Sequence, residues 1–279
     1  MKHIYVNFKR FDIPKEYGGV NNIASPLEWG EYIITYIQNA LQQYDKEEVE
    51  FTFYMPEAHL INAITALDKN SNLKIGSQGV YREDTSLEGN FGAFTTNKTA
   101  NSMKAIGCES VIIGHCEERN DKAGVMREAG LVDPEAVSRI LNLEVKAAIN
   151  AGLSVLFCIG EKAEEQSNWK EVLGKQLEIG LKDVDKNKVA IAYEPVWAIG
   201  PGKTPPDKEY ITQIARYIKE LTDGCNVVYG GGLKEENAKM LASIDEVDGG
   251  LIALTRFQGD IGFYPEEYLE IVKKYMGKL

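Results

Sequence analysis

The chain has 279 residues, 44% hydrophobic and 26% charged, with a formal net charge of −11. That composition is ordinary for a water-soluble globular chain, and the acidic balance argues against nucleic acid or an anionic membrane as partner. A small phosphorylated ligand stays open, because a local cluster of donors decides its binding. Residues 1–10 lack the apolar region of a signal peptide, and no run is long enough to span a bilayer. Cys108, Cys116, Cys158 and Cys225 are too scattered for a thiol-pair motif or a zinc site, so reduced thiols in the cytoplasm are the expectation.

Taken in order, short apolar runs alternate with amphipathic or capped stretches. Strands are expected at 3–7, 49–54, 73–78, 111–114, 153–158, 189–193, 227–229 and 251–253. Ser25-Pro26-Leu27-Glu28 reads as a capping box with proline at the first helical position, followed by Ile33, Ile34, Ile37 and Leu41 at helical spacing. Pro56 starts the next helix. A long loop containing Gly and Thr follows the third strand. Asp133-Pro134-Glu135 marks another helix start, leading into Val137, Ile140, Leu141, Val145 and Ala148. Pro265 opens the last helix. Eight strand–helix alternations without a linker or composition break, over residues 1–279, predict one domain folded as an α/β (β/α)8 barrel. A doubly wound sheet is the rival, but G-x-G-x-x-G is missing after the first strand.

The barrel would gather Asn7, Lys9, Gln78, His115, Glu194 and a Gly-rich run on one face. Glu194 follows an apolar strand, and Pro195 disfavours the helical region for it, so its carboxylate is held extended at a strand end. Trp197 offers an apolar anchor, Gly200 and Gly202 bracket an adaptable tip, and Pro205 and Pro206 stiffen the exit. Residues 195–204 therefore read either as a lid that shuts water out of a site, or as a surface loop beside a solvated Glu. His115 sits after a buried strand and before acidic residues. Nearby backbone N–H groups would lower its pKa and keep the imidazole neutral; a structural histidine bonded to a carbonyl is the alternative. Lys9 is either a site cation or a solvated surface charge.

Asn7-Phe8-Lys9, Gly92-Ala93-Phe94-Thr95, Val111 to His115, Tyr193 to Lys203 and Tyr229-Gly230-Gly231 stand in an order that closely resembles the triosephosphate isomerase family over nearly the whole chain. The resemblance implies a cofactor-free, metal-free aldose–ketose isomerase acting on a small phosphorylated sugar. Glu194 would be the base that moves a proton between neighbouring carbons. His115 would polarise the carbonyl and enediolate oxygens, and Lys9 would hold the substrate with Asn7 positioning it. Glu117 matches a supporting acid near the lysine. The lid would comprise Pro195, Val196, Trp197, Ala198, Ile199, Gly200, Pro201, Gly202, Lys203 and Thr204. Gly200, Gly231 and Gly232 would bind substrate, and the loop around Thr95 would dock into a second copy to make a homodimer.

Several positions depart from the family pattern. Cys116 stands where a serine is usual, while Asn97 and Glu118 replace a glutamate and an arginine that pair across the family's dimer interface. At the phosphate end Gly232 replaces a serine, and Ala253 and Leu254 replace two glycines. Arg256 follows shortly after, either as a new bidentate anion ligand or as a salt-bridged surface residue. Dihydroxyacetone phosphate and glyceraldehyde 3-phosphate are the first choice of substrate, and the intact Lys9, His115 and Glu194 argue against loss of turnover. The rebuilt phosphate end keeps an isomerase of a four-carbon ketose phosphate, or a non-catalytic sugar-phosphate-binding protein, as alternatives.

Overall fold

In the computed structural model, residues 1–200 and 203–277 are described; Pro201 and Gly202 of the expected lid lie outside the described residues. The elements run β1 (Lys2–Asn7), α1 (Trp29–Leu41), β2 (Val49–Met55), α2 (Glu57–Ala66), β3 (Leu73–Gln78), α3 (Ala100–Ile106), β4 (Ser110–Ile113), α4 (Cys116–Glu128) and α5 (Ala136–Asn150). They continue with β5 (Ser154–Ile159), α6 (Trp169–Gly180), β6 (Val189–Tyr193), α7 (Lys208–Leu221), β7 (Asn226–Tyr229), α8 (Ala238–Ala242), β8 (Gly249–Ile252) and α9 (Pro265–Met276). The strands form a closed parallel barrel in sequence order, sealed where β8 pairs with β1 through His3↔Gly249 to Val6↔Ile252. A closed sheet has no edge to protect, and every strand is covered on both faces, which is why the strands read as unbroken apolar runs.

Period-two alternation sorts those runs into two cores. Tyr5, Tyr54, Ile112, Leu156, Cys158, Ala192, Val228 and Leu251 fill the barrel interior. Their neighbours, among them Ile4, Val6, Phe51, Phe53, Val111 and Ile191, face outward and pack under the helices. Ile33, Ile34, Ile37 and Leu41 seal α1 onto that layer as their spacing predicts, and Val137, Leu141, Val145 and Ala148 do the same for α5, with Ile140 half-buried.

Some local expectations need correction. Helix α1 begins at Trp29 rather than behind Ser25. Residues 26–28 form a turn in which Glu28 N donates to Ser25 O, and no side chain caps the helix. At the start of α5, Asp133 Oδ1 accepts the N–H groups of Glu135 and Ala136 at 3.0 and 3.1 Å, so the cap forms but the helix proper starts at Ala136. Strand β8 starts two residues earlier than expected and ends before Ala253. A Cβ at Gly249 would stand 1.8 Å from His3 O, so the close approach of β1 makes strand out of a glycine pair whose propensity opposes it.

Candidate active site

The C-terminal mouth of the barrel collects the candidate residues. Lys9, just past β1, has φ +43°, a conformation that costs a residue with a side chain on the order of 1–3 kcal/mol. Its neighbours fix it there. Lys9 N donates to Asn7 Oδ1 at 3.0 Å, while Gln78 Nε2 donates to Lys9 O at 3.1 Å and to Asn7 Oδ1 at 3.2 Å. The ammonium is thereby turned into the mouth, where it donates to Glu117 Oε1 at 2.8 Å. Burial pushes the Glu117 carboxyl up, but the bond and charge of Lys9 outweigh it, and its pKa lies below the usual range.

His115 caps α4: its Nδ1 accepts the Glu117 N–H at 3.2 Å. The strand end beneath it is held by Arg119, which donates to Gly114 O at 2.8 Å and to Cys158 O at 2.9 Å. On its other side, Nε2 lies 3.0 Å from Glu194 Oε1. The expectation of a lowered pKa is reversed here. Burial does lower it, but the adjacent Glu194 carboxylate prevails and pushes His115 up to about 10. At Nδ1, however, the Glu117 N–H needs a lone pair, which an imidazolium lacks. The Glu194 charge thus favours a cation, whereas the cap at Nδ1 requires the neutral ring; in the capped arrangement the single ring proton is on Nε2.

Glu194 leaves β6 with its N donating to Ile159 O at 2.8 Å, and it is 1% exposed. Its Oε2 accepts the Cys116 N–H at 2.9 Å. Its Oε1 is buried and lies against His115 Nε2. Gly230 allows this packing: a Cβ there would stand 2.8 Å from Glu194 Cγ. A buried carboxylate beside an imidazole at the mouth of the barrel is placed to exchange protons.

The lid is anchored at its root. Residues Val196–Ala198 make one 3-10 turn after Pro195, and Trp197 Nε1 donates to Glu161 Oε1 at 2.7 Å. Glu161 is fully buried and also accepts Tyr193 OH at 2.9 Å and Tyr210 OH at 3.2 Å. The Trp197 anchor is thus polar as well as apolar. Burial and the Glu161 charge push the Tyr210 phenol up to about 12, so the hub keeps its protons at any working pH.

The lid and the strand ends enclose a cleft of about 270 Å³, room for one small metabolite. Asn7, Lys9, His115 and Glu194 line it together with Ala198, Ile199, Gly200 and Lys203 from the lid, and so do Gly230, Gly231, Gly232, Ala253 and Leu254. Arg256 does not line it. Its backbone pairs with Gly262, and its guanidinium lies 3.7 Å from the Tyr264 ring centroid and donates through Nε to Glu267 Oε1 at 2.7 Å. The structure therefore corrects the sequence reading of Arg256 as an anion ligand: it is the salt-bridged residue of the two alternatives. Sequence reasoning missed Arg119, Glu161, Tyr210 and Lys234, the last of which lines the cleft. Among the described residues His115, Cys116 and Glu194 bring donor atoms within 4.8 Å of one another, with Cys116 Sγ 3.7 Å from His115 Nδ1.

A closed eight-stranded parallel barrel whose C-terminal mouth joins a buried carboxylate, an imidazole and an ammonium defines a barrel protein with an acid–base site. The family model for triosephosphate isomerase matches residues 29–273. A triosephosphate isomerase of Fusobacterium nucleatum is 34% identical over 242 residues, covering 82% of this chain and 86% of that protein. One from Trichlorobacter lovleyi is 35% identical over 222 residues, covering 75% and 80%. The crystal structure of the triosephosphate isomerase of Bartonella henselae superposes with a TM-score of 0.72 over 99% of both chains at 24% identity, a likeness of fold. The chain belongs to the triosephosphate isomerase family.

Proposed function

We propose that this protein interconverts dihydroxyacetone phosphate and glyceraldehyde 3-phosphate without a cofactor, by proton transfer through an enediolate. Family membership supports the substrate class, and the observation that carries the chemistry is the Glu194 carboxylate lining the cleft with its Oε1 3.0 Å from His115 Nε2. Glu194 takes the proton from the carbon beside the carbonyl and returns it to the neighbouring carbon. The Nε2–H of His115 donates to the oxygen on which charge develops, and Lys9 balances that charge. Substrate entry separates Glu194 from His115, which frees both for reaction. Glu117, through its bond to Lys9, keeps the ammonium aimed while the cleft is empty.

One observation keeps the four-carbon alternative: Ala253 and Leu254 line the cleft where the family pattern has two glycines, so the phosphate end is rebuilt. Turnover of triose and tetrose phosphates measured side by side separates the readings. Higher kcat/KM for the triose phosphates supports the isomerase proposed here, higher values for the tetrose support the alternative, and turnover of neither leaves a binding protein. We further propose a homodimer working in the cytoplasm. Residues 79–99 form a long loop between β3 and α3, with Leu87 99% and Phe91 93% exposed. A second cavity of about 610 Å³ opens beside Lys9, Gln78 and Glu117, with room for such a loop from another copy. The four cysteines are free, and no helix among the described residues is long and apolar enough to cross a membrane.

A further inference from the structure

We propose that Lys234 is the cation that binds the phosphate group of the substrate, taking over from the serine and the glycine pair that the chain lacks. The inference rests on the reading of the cleft as a sugar-phosphate site. After β7 the chain runs Gly230-Gly231-Gly232-Leu233-Lys234, and the three glycines and the lysine all line the cleft. Gly232 has φ +99°, and a Cβ built on it would stand 3.5 Å from Lys234 Cε. The lysine stem thus crosses the face where a side chain at position 232 would stand. The stem would touch a side chain at position 232 at ordinary contact distance, and it carries the ammonium to the cleft, where Lys234 lines the wall beside Phe257.

The base of that stem is fixed on three sides. Leu233 N donates to Leu251 O of β8 at 3.0 Å, Lys234 N donates to Asn237 Oδ1 at 2.8 Å, and Asn237 Nδ2 donates back to Gly232 O at 2.9 Å. The ammonium itself rests 3.8 Å from the centroid of the Phe257 ring and, among the described residues, has no carboxylate within ion-pair distance. Glu236 lines the same cleft but makes no ion pair with it. The other cations are less suited. Lys9 is held by Glu117 at 2.8 Å at the reacting end, Lys203 rides on the lid, and Arg256 is held by Glu267 and does not line the cleft. An ammonium parked on an aromatic face keeps a favourable seat while the cleft is empty, and it gives that seat up for a dianion because a charge-assisted bond is the stronger one. Backbone N–H groups at Gly231 and Gly232 would share the phosphate oxygens without a Cβ in the way.

Calorimetric titration with inorganic phosphate tests the site without requiring turnover, and steady-state kinetics on triose phosphate runs beside it. For Lys234→Met the account expects phosphate affinity to fall by about ten- to thirtyfold and KM to rise by a similar factor, the scale of one lost charge-assisted bond. Lys234→Arg should recover most of the loss, and Phe257→Leu should change phosphate affinity by less than about threefold. Unchanged phosphate affinity in Lys234→Met overturns the assignment. A wild-type protein that binds phosphate through Lys234 yet fails to isomerise triose phosphate leaves Lys234 standing and removes the activity instead.

Discussion

Replacing Glu144 by glutamine should make the protein more stable in mild alkali, and the expectation can be worked from three side chains. Glu144 lies on the inner face of α5, 5% exposed at its side chain, with Lys122 Nζ at 2.9 Å from Oε1 and its Oε2 unpartnered. Glu118 shares the same lysine at 2.9 Å. Two carboxylates and one ammonium in a buried space favour holding a proton, so burial first, and the charge of Glu118 second, push Glu144 up to about 8. Glu118 moves the other way: Lys122 and the Gly114 N–H outweigh burial and lower it. A carboxyl whose folded pKa is raised binds a proton in the folded state that the unfolded chain has already released. Between its ordinary value near 4.5 and about 8, stability therefore falls as pH rises, and the loss is complete above pH 8. At about 1.4 kcal/mol per unit the full shift sets an upper bound near 5 kcal/mol on the loss. Urea unfolding of wild type and Glu144→Gln at pH 5.5, 7 and 9, followed by circular dichroism, should show a flatter pH dependence in the variant. A crossover should leave the variant ahead at pH 9 by no more than that bound, on the order of several °C in Tm. A variant that is less stable at pH 9, or that keeps the wild-type slope, refutes the reasoning.

The His115 assignment predicts that Glu194→Gln lowers the pKa of the ring, because the largest effect that raises it is lost while burial, which disfavours the charge, remains. Nitrogen-15 NMR should show a single protonated ring nitrogen in that variant down to below pH 6.5; a titration unmoved from wild type contradicts the assignment. The dimer reading predicts sedimentation as a dimer in the wild type and a shift toward monomer with loss of activity in Phe91→Asp, since a carboxylate would be buried at the docking surface. An active wild-type monomer defeats it.

Glu194, His115 and Lys9 could be read from the sequence because each adjoins an apolar strand run, and a barrel puts strand ends on one face whatever the loops do. Lys234 could not. It opens a polar stretch, Lys234-Glu235-Glu236, that looks like any solvated surface, and only the folded chain after β7 brings it to the cleft wall. The Glu161 hub was hidden for a different reason: its donors Tyr193, Trp197 and Tyr210 stand 32, 36 and 49 residues away, so no local pattern reports it. Arg256 shows the opposite error. Nearness in sequence to the eighth strand says nothing about side-chain direction, and the bridge to Gly262 turns the guanidinium onto Tyr264 and Glu267. A signal existed in Glu266-Glu267 ten residues on, an acidic pair at a helix start able to capture an arginine.

The central claim is that Glu194 carries a proton between two carbons of a bound sugar phosphate. Isomerisation of triose phosphate in deuterated water by wild type and by Glu194→Gln, read by proton NMR of substrate and product, tests it most directly. The account predicts deuterium at the carbon beside the carbonyl in the wild-type reaction and a kcat lower by at least about a hundredfold in the variant, with inorganic phosphate still bound. Wild-type turnover that incorporates no deuterium, together with a fully active Gln variant, would contradict it.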